Sequence, residues 1–521
     1  MKTKDYKKQK KLSQLLKGFK YDIHSSAAYS QQDIQAMTIP EVVSDDRKLS
    51  EGCLFICCRI TNYNGAASMI KAAESGASVI VAEPGLYEEA VASSEKAKSE
   101  LTGSKAPVII FTQDTRYAMA FIWAAWYDHP ADSMTVIGVT GTKGKTTVTH
   151  MIYEIVKASG KKAGLISTLE YIIGDDHRHS PITSPEADIL QEMLYEMVMT
   201  GTEVVVIEVA SQALMTHRSQ GFTFDIGIFT NISPDHIGPD EHTSFENYLY
   251  SKSLLMRQCR LGIVNGDDPH VSSIIKERSC TIRTFGLSHG NDLYGRNLLP
   301  FMENGVPSIA FDTGGRVSMH INLPMPGEYS VMNALAAILA VTELGISETE
   351  INEALSRIKI CARMNIVMPE NDTVSDFPVV IVDFAHNALS LSTLLKTLRT
   401  YYTGKIICVF SCTDRLQMRR APMGEVAGEL ADFTVVTSET SEQLQSEDVL
   451  MDIVEGIKKT SGSYAVILDR REAIRYALSI AGSDDTVVIA GKGNQKDNNV
   501  DEIRHSMPDD FDLLREIFDS L

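Results

Sequence analysis

Residues 138–147, GVTGTKGKTT, constrain this chain more than any other stretch. A short β-branched run, MTVIGV, leads in, and Val148, Met151, Ile152, Ile155 and Val156 follow at helical spacing until Gly160. The order is strand, glycine-rich loop, helix. Such a loop suits phosphate: glycines let backbone N–H groups turn toward the anion, the helix N-terminus adds partial positive charge, and a lysine reaches the terminal phosphates. Lys145 takes that place, with Thr146 as a hydroxyl for Mg2+. The familiar register G-x-x-x-x-G-K-[ST] would put its first glycine at Val139. The stretch is therefore either a chance glycine-rich turn or a phosphate loop of a particular kind.

Its neighbours bear on the choice. The run EVVVIE closes on Glu208, FDIGIFTNISPDH on Asp235 and His236, and VVIVDFAH on Asp383 and His386. In open α/β sheets ligands bind beyond the carboxyl ends of strands, so these polar groups are expected at one cleft. Strand and helix patterns alternate again after about residue 360 in KIICVF, FTVVT, YAVIL and DTVVIAGKG, which predicts a second parallel-sheet domain. Before residue 130, GCLFICCRI, AAESGASVIVAE and APVIIFT predict a smaller α/β domain, joined through the turn-rich YDHPADS. A chain of 521 residues, at ~150 per domain, is expected to form three, over 1–130, 131–357 and 358–521.

A formal charge of -19 speaks against a nucleic-acid partner, which needs an extended basic surface, and leaves small anions open. No run is apolar enough to span a bilayer, so a cytoplasmic protein with no membrane partner is expected. The eight cysteines form no C-x-x-C pair, and Cys53/Cys57 and Cys408/Cys412 lack accompanying histidines; reduced, mostly buried thiols are expected.

The loop Gly141-Thr142-Lys143-Gly144-Lys145-Thr146-Thr147 matches G-T-x-G-K-T-T, the ATP loop of the Mur ligases, which removes the register problem. The segments TSPEADILQEM, IEVASQALMTHR, FDIGIFTNISPDH, YLYSKSLL, NGDDP, YSVMNALAAI, ARMNIV, VDFAHNALSL, APMGEVAGELADF and AGKG stand in that family's order. The chain thus resembles the Mur ligase family, and within it the MurE branch, UDP-N-acetylmuramoyl-dipeptide:amino-acid ligases that add the third residue of the peptidoglycan stem peptide. The stretch NISPDHIGPDEHTSFENYLYSK is similar to the lysine-adding enzymes of low-GC Gram-positive bacteria.

This resemblance implies an α/β architecture: a small N-terminal domain for the UDP substrate, a central P-loop ATPase-like parallel-sheet domain, and a C-terminal Rossmann-like domain for the amino acid. It implies ATP and Mg2+, an acyl-phosphate route, UDP-N-acetylmuramoyl-dipeptide and an amino acid as partners, and a monomer. Gly141, Thr142, Gly144, Lys145, Thr146 and Thr147 would hold the phosphates and Asn333 the adenine, with Arg363 and Asp383 reaching the nucleotide from the far side of the cleft. Lys145, Glu208, His236 and Lys252 form the implied catalytic set; Thr146, Glu208, His236 and Lys252 form the metal set. An ammonium at Lys252 would repel Mg2+, and the resemblance implies that this lysine is carbamylated. Thr183, Ser184, Ser211 and Arg218 match positions that hold the muramoyl-dipeptide.

The sequence departs from the MurE pattern at the surfaces that select substrates. Asp45-Asp46-Arg47 replaces Asp-Ser-Arg, Asn64-Gly65-Ala66 replaces Asp-Gly-His, and Gly491-Lys492-Gly493-Asn494-Gln495 replaces Gly-Lys-Gly-His-Glu. TSETSEQLQSED stands in place of the Asp-Asn-Pro-Arg loop, and SCTDR lacks the glycines often found before Asp414 and Arg415. Two other readings follow: a Mur-type ligase for a different acid, and a nucleotide-binding protein without turnover. The intact Lys145, Glu208, His236 and Lys252 set argues against the second. No arginine occurs between Ser438 and Asp448, whereas Glu439, Glu442, Glu447 and Asp448 suit a distal ammonium, so L-lysine is expected over meso-diaminopimelate as the added amino acid.

Overall fold

The computed structural model describes residues 9–24, 30–58, 65–103, 106–238, 241–369, 377–412, 417–438, 447–495, 497–500, 503–506 and 508–520. Of the positions singled out above, Asn64, Asp414, Arg415, Glu439 and Glu442 lie outside them. Two compact units emerge: residues 1–292 with 336–347, and residues 293–335 with 348–521.

Among the described residues the first unit holds two large sheets and a two-stranded one, Lys10–Lys11 with Thr38–Ile39. The N-terminal large one runs Asp22–His24, Val108–Phe111, Val79–Ala82, Leu54–Ile56, Val42–Val43, with its first strand antiparallel and the other four parallel. Val79–Ala82 and Leu54–Ile56 are buried throughout, because apolar clusters cover both faces: Leu54, Val79 and Ile110 face one, Phe55, Ile80 and Ile109 the other. Helix Thr115–Trp126 packs on the first of these faces, capped by Asp114, whose carboxylate accepts the N–H groups of Arg116 and Tyr117.

In the second sheet, strands Ala163–Ile166, Val204–Glu208, Thr135–Thr140, Phe224–Phe229, Cys259–Asn265 and Thr281–Gly286 are parallel neighbours in that order. A hairpin, Glu170–Ile173 with Asp176–His179, extends the Ala163 side. The expected strand–loop–helix is present: Thr135–Thr140 runs through the glycine loop into helix Lys145–Ala158, whose apolar positions are buried. Register pairs Glu208 with Val139 and Phe229 with Thr140, so three parallel strands deliver their carboxyl ends to one edge of the sheet.

The second unit contains an antiparallel meander, Leu293–Glu303, Val306–Gly315 and His320–Leu323. Its largest sheet runs Asn365–Val367, Val379–Asp383, Thr486–Ala490, Ile406–Phe410, Phe433–Val436, Tyr464–Val466, all parallel but the first, and Asp497–Val500 pairs with Ile503–Ser506 apart from it. At the carboxyl ends of its central strands sits a buried ion pair. Arg470 Nε and Nη2 donate to the two carboxylate oxygens of Asp510 (2.7 and 2.9 Å), while Nη1 and Nη2 also reach Ser411 Oγ and the Ala490 carbonyl. Asp510 also accepts the N–H of Gly493 (2.8 Å), pinning the Gly491-Lys492-Gly493 turn to helix Asp510–Phe518. Among the described residues no helix is long and apolar enough to cross a membrane. Six of the eight cysteines are buried.

Removing one member of a buried ion pair leaves the other charge without a partner. Asp510→Ala is therefore expected to destabilise the second unit by about 3–5 kcal/mol. Faster amide hydrogen exchange in strands Ile406–Phe410 and Thr486–Ala490 would show it, and unchanged protection there would refute it.

Candidate active site

The glycine loop is held by its own sheet. Gly141 has φ +152°, and a Cβ there would run into the Thr230 hydroxyl and the Asn231 backbone. The next residues lean on the strand end after Phe229. Thr142 N–H donates to the Asn231 carbonyl (2.8 Å), Lys143 N–H to Asn231 Oδ1 (3.0 Å), and the Thr230 hydroxyl to the Lys143 carbonyl (2.6 Å). Gly144, in the left-handed region, opens helix Lys145–Ala158, so the helix N-terminus points into the loop. Lys145 Nζ curls over it, donating to the carbonyls of Gly141 and Thr142 (3.0 and 3.2 Å). Tight glycine turn, helix N-terminus and lysine together fit a polyphosphate.

Lys252 joins this loop from helix Phe245–Ser253. Its side chain is 1% exposed, Nζ donates to the Gly141 carbonyl (2.8 Å), and the ammonium lies 4.5 Å from the centre of the Tyr248 ring. Tyr248 in turn places its hydroxyl 3.1 Å from Thr142 Oγ1. Burial, and after it the nearby charge of Lys145, holds the Lys252 ammonium well below the usual lysine range.

Glu208, fully buried, works at both ends of its residue. Its carboxylate accepts Thr168 N–H and Thr168 Oγ1–H (3.0 and 2.9 Å), and Thr168 Oγ1 also lies 3.1 Å from Thr183 Oγ1. Its backbone carbonyl accepts Ser184 Oγ–H (2.8 Å), and Ser184 Oγ accepts Ala210 N–H. Arg218 Nη1 donates to the Ser184 carbonyl (3.1 Å). Thr183, Ser184, Glu208 and Arg218 are thus brought together beside the loop.

Thr146 is buried in the first turn of the loop's helix. His236 has a positive φ of 56°, with Nδ1 3.1 Å from Glu241 Oε1; none of the described contacts joins it to Glu208 or Lys252. Among the described residues no three His, Cys, Asp or Glu side chains converge as a metal cage. Of the expected Mg2+ set, Thr146, Glu208, His236 and Lys252, the Thr146 hydroxyl and the Glu208 carboxylate are hard oxygens that fit that ion; an ammonium at Lys252 does not.

Ser211 is held by a residue that the sequence reading passed over. His242, fully buried, stands with Nε2 2.8 Å from Ser211 Oγ and Nδ1 2.8 Å from Asn247 Oδ1. Asn247 Oδ1 is an acceptor, so Nδ1 carries the proton and the Ser211 hydroxyl donates to Nε2. His242 lies inside the quoted NISPDHIGPDEHTSFENYLYSK, but no spacing links it to Ser211.

The remaining candidates belong to the second unit. Asn333 is half-buried on helix Glu328–Glu343. Asp383, the last residue of its strand, accepts the Met364 N–H (2.9 Å), and the Arg363 guanidinium lies 5.3 Å from the Phe384 ring centre. Ala362 and Met364, flanking Arg363, have φ +53° and +49°, a strained turn of the sort found at ligand sites. At the departures from the MurE pattern, Arg47 is bound by Asp45 (2.8 Å), and Asp46 accepts a hydrogen bond from Ser68.

A phosphate-type loop that shares a strand edge with a buried carboxylate and an arginine-bearing cluster, in a chain of parallel α/β sheets, fits an enzyme that brings a nucleotide to an acid. The chain matches the Mur ligase middle domain over residues 139–341 and the Mur ligase glutamate ligase domain over 362–493. It is 35% identical to the UDP-N-acetylmuramoyl-L-alanyl-D-glutamate--2,6-diaminopimelate ligase of Caldanaerobacter subterraneus subsp. tengcongensis, over 93% of this chain and 94% of that one. A solved structure named as UDP-N-acetylmuramoyl-L-alanyl-D-glutamate--2,6-diaminopimelate ligase shares the fold, with TM-score 0.66 and 23% identity over 98% of this chain and 99% of that one. So does MurF ligase from Thermotoga maritima in complex with ADP, with TM-score 0.58 and 16% identity over 86% and 93%. The chain belongs to the Mur ligase family, ATP-dependent enzymes that form amide bonds.

Proposed function

We propose that this chain joins a third amino acid to UDP-N-acetylmuramoyl-L-alanyl-D-glutamate, using ATP to activate a substrate carboxylate as an acyl phosphate. One observation supports this above the others: Glu208 is shared, lying in register with the phosphate-loop strand while its carbonyl anchors Ser184 and, through it, Arg218. A carboxylate is a poor acyl donor. Phosphorylation gives it a leaving group, and the incoming amine then attacks through a tetrahedral intermediate from which phosphate departs. The reaction brings several anions together, and Lys145 offsets their repulsion from the loop while Arg218 does so from the acid. Asn333, Arg363 and Asp383 are proposed for the nucleotide, Thr183, Ser184, Ser211 and Arg218 for the dipeptide, with domain boundaries at 130/131 and 357/358.

Mg2+ would be held by Thr146, Glu208, His236 and carbamylated Lys252, and would supply positive charge that offsets the reacting anions. A carbonyl and a ring face Lys252 Nζ, but burial and the nearby charge of Lys145 disfavour its ammonium. Its neutral amine adds CO2: an Nζ–C bond forms, a proton leaves to solvent, and an anion with two oxygens replaces the amine.

For the added amino acid we adopt 2,6-diaminopimelate, for which the relatives are named. L-lysine is the second reading, resting on the missing arginine between Ser438 and Asp448. It draws no support from the relatives. Glu447 and Asp448 stand exposed in the first turn of helix Glu447–Ile457, where the helix dipole accounts for acidic residues. ADP release with UDP-muramoyl-dipeptide and either amino acid decides: higher kcat/KM with diaminopimelate is expected, higher kcat/KM with lysine establishes the second reading, and release with neither overturns the function.

Lys145→Ala is expected to lower kcat on the order of a hundredfold or more while the circular dichroism stays native; near-normal turnover would remove Lys145 from the site. Lys252→Ala is expected to be inactive and partly restored by an added short carboxylic acid. Intact mass in bicarbonate should show one added CO2 that is lost on acidification. A free amine throughout, with full activity of the alanine variant, would reject the carbamate.

A further inference from the structure

The glutamate of UDP-muramoyl-dipeptide carries two carboxylates. One becomes the acyl phosphate; the other stays an anion and needs a cationic partner. Building on the ligase reading above, we propose that Arg116 is a substrate-positioning residue, sharing Glu186 with Arg218 and so keeping Arg218 available to the carboxylate that is not activated.

The geometry is a carboxylate between two guanidiniums. Arg218 Nη2 lies 2.9 Å from Glu186 Oε1, and Arg116 Nη1 lies 3.3 Å from Glu186 Oε2. Both arginines are largely buried, at 16% and 21% side-chain exposure. Arg218 Nε is buried with no hydrogen-bond partner, although its Nη1 is engaged by the Ser184 carbonyl. Two cations on one carboxylate leave positive charge uncompensated in a poorly solvated place, and an unpartnered guanidinium donor there favours a second anion. Asp114 does not supply it. Its carboxylate caps helix Thr115–Trp126 and lies 3.2 Å from His217 Nε2, latching the start of that helix to the turn that carries Arg218.

Arg116 determines what Glu186 can do. With Arg116 present, one oxygen of Glu186 is drawn away from Arg218, which retains donors for substrate. Without it, Glu186 is free to engage Arg218 with both oxygens and compete with the substrate carboxylate. Arg116 belongs to the helix packed on the N-terminal sheet, whereas Ser184, Glu186 and Arg218 lie on connections between strands of the phosphate-loop sheet. The acid site therefore draws on elements packed on both large sheets of the first unit.

The test is steady-state kinetics of the full-length chain with UDP-muramoyl-dipeptide, ATP and the better amino acid. Arg116→Ala is expected to raise KM for the dipeptide on the order of tenfold, with KM for ATP unmoved and a smaller effect on kcat. Arg116→Lys should recover part of the loss. The double variant Arg116→Ala/Glu186→Gln should bring KM back toward wild type, because the competing carboxylate is gone; a merely structural ion pair would not restore one substrate's KM selectively. An unchanged dipeptide KM in Arg116→Ala, or a double variant no better than the single one, overturns the proposal while wild-type turnover leaves the ligase reading standing. A wild-type chain that neither binds nor turns over the dipeptide overturns both.

Discussion

The turn at Gly141 is the constraint on which the candidate site depends. At φ +152°, with Thr230 and Asn231 packed where a side chain would begin, it permits only glycine. Its carbonyl is consequently directed to a point where two lysines meet, Lys145 from the helix that follows and Lys252 from a helix more than a hundred residues away. Two lysine amines meeting on one carbonyl would bring two positive charges close together if both were protonated. That arrangement suits a polyphosphate on the open side of the loop, and it disfavours the protonated form of the lysine that water does not reach.

Parallel strand alignment extends this logic to the acid. Val204–Glu208, Thr135–Thr140 and Phe224–Phe229 are adjacent and point the same way, so the residues following each arrive together. Glu208 is the hinge of that arrangement, since a fully buried carboxylate must be satisfied and Thr168 satisfies both its oxygens. Orientation follows from satisfaction: with side chain and carbonyl both engaged, Glu208 has one position, and Ser184 and Arg218 are placed relative to it.

Much of the fold was legible from pattern. Glu208 and Asp383 are the last residues of their strands, helix Lys145–Ala158 ends just before Gly160, and Gly160 adopts a positive φ, because runs of β-branched residues, helical spacing and glycine stops are local signals. The loop was legible for the same reason, as its chemistry lies within seven consecutive residues. Other parts carried no such signal. His242 holds Ser211 across 31 positions, Arg116 reaches Glu186 across 70, and Arg470 binds Asp510 across 40. Each partner alone reads as a solvated or capping residue.

Sequence by itself therefore determined the elements and their order: which runs are strands, where a phosphate loop must turn, and which polar groups stand at strand ends. These depend on neighbours within a few positions, where sterics and amphipathic periodicity act. Tertiary structure alone decided which charges share a carboxylate, which lysine loses its water, and which histidine orients a serine. Those outcomes depend on burial and on distances through space. A buried polar group must find a partner wherever the fold brings one, and its place along the chain does not say where that is.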